Sequence, residues 1–279
     1  MRLSFTKMHG LGNDFIVFDA ASDADIPSAD ALRKLGNRRT GIGFDQALVL
    51  MPPRASGTDV YYRIFNCDGS EVEQCGNGAR CIASLVARRL GNRNELHMDS
   101  TGGPVDALLK PDGTVSVNFG VPNFAPSSLP FDAPAEANLY PLQVGQGTNV
   151  RSIEIGAVSM GNPHAVWRVP SVTNAPVDSV GPAVENHLRF PNRVNAGFLE
   201  VVARNHIRLR VWERGVGETL ACGTGTCAAV AVGRKLGWLD ETVQVDLPGG
   251  RATVTWPGPG NVIWLTGPAV TVFEGQVEI

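Results

Sequence analysis

The sequence predicts an α+β protein made by tandem duplication. Three observations carry this. Two glycine-rich segments, each opening on a cysteine and running into an apolar helix, recur far apart as "CGNGARC" (75–81) and "CGTGTC" (222–227). Most of the remaining ordered sequence alternates with period two, as half-buried strands do. The flanking motifs repeat in the same order at a nearly constant offset.

In chain order, the strand-like segments of the first half are "FIVFDA", "QALVLM", "DVYYRIF" and "VSVNF", and those of the second are "SIEIGAV", "HAVWRV", "FLEVV", "IRLRVWE", "RATVTW" and "VIWLTG". Two segments break the alternation, "GNGARCIASLVARRLG" and "GTGTCAAVAVGRKLG". They read as helices buried over much of their circumference. Gly91 and Gly237 are suited to end them, with Arg88, Arg89, Arg234 and Lys235 complementing the C-terminal dipole.

Sliding the chain along itself aligns Arg63-Ile-Phe with Arg210-Val-Trp and Glu71 with Glu218 at an offset of 147. "GNDFIVF" from Gly12 aligns with "GNPHAVW" from Gly161 at 149, and "DQALVL" falls over "NAGFLEV" near 150. Each half is expected to be a domain, 1–122 and 123–266. The final segment 267–279 could return as a strand of the first. The stretch 121–142, with five prolines and little periodicity, reads as the interdomain linker.

Composition removes several function classes. A net charge of −3 and pI near 6.0 give no general attraction for nucleic acid or an anionic membrane. No segment approaches a membrane span or a signal peptide, so a cytoplasmic protein with reduced thiols is expected. The spacings C-x5-C and C-x4-C are not those of zinc knuckles, and no metal is expected. None of the four lysines (Lys7, Lys34, Lys110, Lys235) sits in a recognisable pyridoxal phosphate pocket, and no cofactor is expected.

A cysteine before a helix start has its thiolate stabilised, and the same N–H groups hold a carboxylate or phosphate. Two such units facing each other would bring two thiols and two anion nests into one cleft. Inverting a stereocentre needs a base on one face of a carbon and an acid on the other. A cysteine hydrolase needs only one thiol with a base. The residues themselves thus point to two-thiol proton transfer beside a carboxylate without naming the substrate. A redox or metal-binding role for the cysteine pairs is the alternative of a different class.

The motifs "KMHGLGNDFIVFD", "RIFNCDGSEVEQCGNGARC", "GNPHAVW", "NRVNAGFLEVV" and "RVWERGVGETLACGTGTCAAV" closely resemble the diaminopimelate epimerase family, in order and over nearly the whole chain. The resemblance implies cofactor-independent interconversion of LL- and meso-diaminopimelate, in lysine and peptidoglycan-precursor synthesis. It implies two domains, each a mixed, mostly antiparallel sheet wrapped around a central helix, and a homodimer. It makes Cys75 and Cys222 the acid/base pair, with His164 tuning Cys75 and Glu213 tuning Cys222. Substrate binding falls to Asn13, Gln46, Asn66, Gly76, Asn77, Asn162, Asn195, Glu213, Arg214, Gly223 and Thr224, Arg214 gripping the distal carboxylate. Cys67, Cys81 and Cys227 read as structural. A proline-type racemase also uses two thiols, but a cyclic substrate with one carboxylate would not need Arg214 or the amides. Phe273 stands where relatives often carry tyrosine, which bears on a dimer edge.

Overall fold

The computed structural model describes residues 2–145 and 150–279, and the chain divides into two compact units, Met1–Asn118 with Thr266–Ile279, and Phe119–Leu265. The ranges 1–122 and 123–266 read from sequence also take in Met1 and residues 146–149, which lie outside the described residues.

In the first unit the chain runs β1 (Arg2–Gly10), β2 (Asn13–Asp19), α1 (Ala29–Gly36), β3 (Gln46–Met51), β4 (Val60–Asn66), β5 (Glu71–Val72), α2 (Gly76–Arg89), β6 (Glu95–Ser100), β7 (Gly103–Leu109) and β8 (Val115–Asn118). The pairs β2–β3 and β4–β6 are parallel. The pairs β1–β2, β3–β4, β4–β5, β6–β7 and β7–β8 are antiparallel.

The second unit repeats this plan with β9 (Tyr140–Val144), β10 (Arg151–Ser159), β11 (Pro163–Arg168), α3 (Val177–Glu185), β12 (Asn195–Ala203), β13 (His206–Glu213), β14 (Gly217–Thr219), α4 (Gly223–Lys235), β15 (Thr242–Leu247) and β16 (Gly250–Thr255). The chain passes from the second unit back to the first within β17 (Trp264–Gly267). The last strand, β18 (Val270–Glu278), pairs antiparallel with β1, as β9 does with β10.

Register carries the duplication down to single residues. Phe15 stands opposite Gln46 in the parallel β2–β3 pair, and His164 stands opposite Asn195 in β11–β12, each 149 residues further on. A one-residue slip would turn every side chain to the other face, so two registers with the same offset place equivalent side chains on equivalent faces.

In each unit the strands wrap one central helix. Helix α2 packs against β1, β2, β3, β6, β7 and β8, and Asn77 through Ile82 are all buried; α4 packs against β10, β11, β12, β13 and β16. A helix covered on most sides must be apolar nearly all round, which "CIASLVA" and "CAAVAV" provide. Both helices stop as expected. Gly91 and Gly237 adopt φ of +79° and +72°, and the N–H groups of Asn92 and Trp238 return to the carbonyls of Ala87 and Gly233, both at 2.8 Å.

The proline-rich stretch 121–142 departs from expectation. It is not a solvated linker. Leu129, Phe131, Tyr140 and Leu142 are buried in the core of the second unit, where Phe131 stacks on Phe190 at 4.4 Å and meets Tyr140 edge-on at 4.8 Å. Its aperiodic spacing hides apolar residues that enter the core from irregular backbone, followed by a strand. Strands β1, β5, β6, β7, β9, β14 and β15 and helices α1 and α3 likewise lie outside the strand and helix segments picked out by periodicity alone.

Candidate active site

In the first unit Cys75 takes extended dihedrals (φ −146°, ψ 107°) and caps α2, its Sγ accepting from the Gly78 N–H at 3.4 Å. A sulfur thus does what Ser or Asp usually does at a helix start. Gly78 lets the helix start pack closely, since a Cβ there would lie 3.0 Å from Leu48 Cδ2.

The β1–β2 turn brings Asn13 alongside, its Oδ1 accepting from the Cys75 thiol at 3.6 Å and from Asn77 Nδ2 at 3.3 Å. Asn77 Oδ1 in turn accepts from Arg80 Nη2 at 2.6 Å. Gln46 and Asn66, opposite each other in β3–β4, join through a Gln46 Nε2 to Asn66 Oδ1 bond of 3.0 Å. Gln46 Oε1 is buried with no hydrogen-bond partner among the described residues, an acceptor well suited to an ammonium or N–H group of a ligand. Cys81 is fully buried and burial pushes its thiol up to about 12; Cys67 is exposed.

In the second unit Cys222 occupies the N-cap position of α4 with φ −101° and ψ 112°, without a side-chain capping bond, and is buried. Burial, and after it the charge of Glu213, raises its thiol well above the ordinary value, so this sulfur carries its proton at neutral pH. Thr224 Oγ1 lies 3.6 Å from Cys222 Sγ and accepts from Asn162 Nδ2 at 3.3 Å. That bond leaves Asn162 Oδ1 to accept from His164 Nε2 at 3.0 Å, which fixes the Nε2–H tautomer.

His164 is 1% exposed, and burial, with the nearby Arg214 charge, pushes it down to about 3. It is a neutral imidazole at physiological pH. Asn195 grips the turn after β13 by accepting the Arg214 N–H at 2.9 Å and donating to Pro163 O at 3.0 Å, while Arg214 Nη1 donates to Asn192 O at 3.0 Å. Cys227 is fully buried in α4.

The first unit therefore gathers Asn13, Gln46, Asn66, Cys75, Gly76 and Asn77, and the second gathers Asn162, His164, Asn195, Glu213, Arg214, Cys222, Gly223 and Thr224. The residue reading missed four neighbours. Arg80 and Asp45 bind the Asn77–Asn13 amides, Thr219 donates to Glu213 Oε1 at 2.5 Å, and Gly225 leaves room beside Cys222, where a Cβ would lie 3.2 Å from Sγ. Asp45 next to Gln46 and Thr219 two residues after Gly217 carry no periodic or spacing signal. Among the described residues no cluster of His, Cys, Asp and Glu could hold a metal, and no helix is long and apolar enough to cross a membrane.

Two units, in each of which strands enclose a helix that begins at a cysteine, define a class: the duplicated fold of the racemase and epimerase type. The solved structure of a hydroxyproline epimerase from Agrobacterium vitis shares it, with a TM-score of 0.69 at 17% identity, over 99% of this chain and 92% of that one. The diaminopimelate epimerase family model matches residues 5–125 and 156–272, one segment in each half. Diaminopimelate epimerases of Stutzerimonas stutzeri and Pseudomonas aeruginosa are each 52% identical to this chain over 280 residues, covering all of both sequences. The chain belongs to the diaminopimelate epimerase family.

Proposed function

We propose that this chain interconverts LL- and meso-diaminopimelate without a cofactor, by proton transfer between the α-carbon and two thiols, Cys75 and Cys222. The observation that carries the reading is that each central helix begins at one of these cysteines, in a chain of this family. One sulfur, as thiolate, takes the α-proton; the other, as thiol, delivers its proton to the opposite face. The products are the inverted carbon and the two sulfurs with exchanged protonation, and the reverse reaction uses the same groups with roles exchanged.

Charge developing on the α-carboxylate is met by the N-termini of α2 and α4, at Gly76-Asn77 and Gly223-Thr224, where helix N–H groups lack intrahelical acceptors. Asn13, Gln46, Asn66, Asn162 and Asn195 supply amides able both to donate to carboxylates and to accept from ammonium groups. The Arg214 guanidinium suits a second carboxylate. Glu213, whose charge reaches Cys222, is the group to hold and return that thiol's proton. The role of neutral His164 toward Cys75 belongs to the same proposal.

The test is solvent-deuterium incorporation and epimerisation of LL- and meso-diaminopimelate by wild type, Cys75→Ala and Cys222→Ala. Loss of epimerisation by about 100-fold or more in each variant is expected for removal of an acid/base group. Wild-type epimerisation by either variant sinks the two-thiol assignment. Turnover of proline with none of diaminopimelate sinks the substrate.

A cytoplasmic homodimer completes the reading. In its support, β18 leaves Val270, Val272 and Phe273 at 40%, 56% and 48% exposure, an apolar strand face at the sheet edge. Sedimentation of wild type and Phe273→Lys tests it: a wild-type monomer refutes the dimer, and an unaltered Phe273→Lys dimer removes this face from the interface.

A further inference from the structure

The hydrogen bonds around Cys75 form a chain whose two ends have opposite chemistry. At one end is Arg80, fully buried, its guanidinium able only to donate; at the other is the Asp45 carboxylate, able only to accept. Arg80 Nη2 donates to Asn77 Oδ1 at 2.6 Å, so the Asn77 amide must turn its Nδ2 the other way, toward Asn13 Oδ1 at 3.3 Å. Asn13 Nδ2 donates to Asp45 Oδ2 at 2.9 Å, which turns the same Oδ1 toward Asn77 and Cys75. Each end selects the orientation of the amide beside it, Arg80 that of Asn77 and Asp45 that of Asn13, and the two agree.

Asp45 is itself held. Its Oδ2 also accepts the Asp14 N–H at 3.1 Å, and its Oδ1 accepts from Arg38 Nη2 at 2.6 Å. Arg38 spans both acids, with Nη2 at 2.7 Å and Nη1 at 3.0 Å from the two Asp14 oxygens. Lys7 reaches Asp14 Oδ2 at 2.5 Å and also donates to Gly43 O. Burial alone would raise Asp14, but hydrogen bonds from Arg38 and Lys7 outweigh it and hold the carboxyl at about 2.

The second half does not carry these side chains at the equivalent positions. Pro163 and Val194 stand 149 residues after Asp14 and Asp45, and Cys227 stands 147 after Arg80. The brace is a property of one thiol.

We propose that Arg80 and Asp45 are positioning residues that set the direction of this chain, so that the Asn13 side chain presents its carbonyl oxygen, rather than its N–H, to the Cys75 sulfur. An acceptor in that place favours the S–H form and aims its proton at Asn13. A flipped amide would instead donate to the thiolate. The two thiols are then protonated against different acceptors, a neutral amide at Cys75 and the Glu213 carboxylate at Cys222. Only the bearing on catalysis rests on the two-thiol reading; the geometry at Cys75 does not.

The measurement is the rate of Cys75 alkylation by iodoacetamide against pH, resolved from the other cysteines by peptide mass spectrometry. The other titratable groups close to Cys75, Tyr62 and Cys81, stay protonated across the neutral range, Cys81 up to about 12 and Tyr62 above its ordinary value, both through burial. Removing the acceptor in Asp45→Ala frees the Asn13 amide to turn its N–H to sulfur, and the alkylation midpoint moves down by about 0.5–1 pH unit, the worth of one hydrogen bond.

Asp59→Ala, which removes a carboxylate bound to Arg93 and to the His97 N–H in the same unit, leaves the midpoint in place. Should Asp45→Ala fail to fold by circular dichroism, Arg38→Ala loosens Asp45 from the surface and gives a smaller shift in the same direction. An unchanged or raised midpoint in the folded variant, or an equal shift in Asp59→Ala, overturns the proposal. Unimpaired epimerisation by Cys75→Ala would remove the catalytic reading and leave this result standing.

Discussion

The Thr219 hydroxyl donates to Glu213 Oε1 at 2.5 Å, across the hairpin of β13 and β14. Glu213 is the carboxylate whose charge reaches the Cys222 thiol, so a residue outside the recognisable motif roles fixes the orientation of a group inside them. Thr219→Val keeps the shape of the side chain and removes the donor. Its kcat is expected to fall about 10-fold with KM nearly unchanged, the size of one hydrogen bond to a charged group, and Thr219→Ser restores it. A KM effect without a kcat effect would place Thr219 in binding instead.

His164 makes stability depend on acid. Its folded value, about 3, lies below the ordinary 6.5, so the unfolded chain takes up a proton that the folded chain refuses. This contribution is fully present above about pH 6.5 and is lost progressively as pH falls toward 3. His164→Gln should therefore show a flatter Tm between pH 6.5 and 4 than wild type. An equal slope in the two proteins contradicts the buried neutral imidazole.

Arg214 is anchored by its backbone N–H to Asn195 and by Nη1 to Asn192 O, which aims the guanidinium from a defined turn. If it binds the distal carboxylate, Arg214→Gln lowers kcat/KM for diaminopimelate by roughly 100-fold, as expected for a lost charge-assisted contact. Steady-state kinetics on both stereoisomers measure this. A loss under 3-fold would assign the distal carboxylate elsewhere.

Phe131 tests whether the proline-rich stretch is core or tether. It is 6% exposed between Phe190 and Tyr140. Phe131→Ala is expected to destabilise the protein by about 3–5 kcal/mol, as truncation of a buried aromatic does, read from urea unfolding. A solvated linker would tolerate the change within about 0.5 kcal/mol.

The repeat, the two cysteine-capped helices, their glycine stops and most of the strands were legible because each is a local pattern. Period-two alternation, a glycine that must take positive φ, and motifs recurring at 147 and 149 are properties of neighbouring residues. The candidate site residues were named through the same motifs. Leu129 and Phe131 were not legible, because irregular backbone entering a core leaves no period to read.

By itself, then, the sequence determined the duplication, the two central helices and which two cysteines begin them. The tertiary structure alone decided their surroundings. Which way Asn13 turns depends on Asp45, 32 residues away, and on Arg80 through Asn77. The protonation of His164 and Cys222 depends on burial and on the charges of Arg214 and Glu213. Hydrogen-bond direction and desolvation are set by what surrounds a group in space, and only the folded chain specifies that.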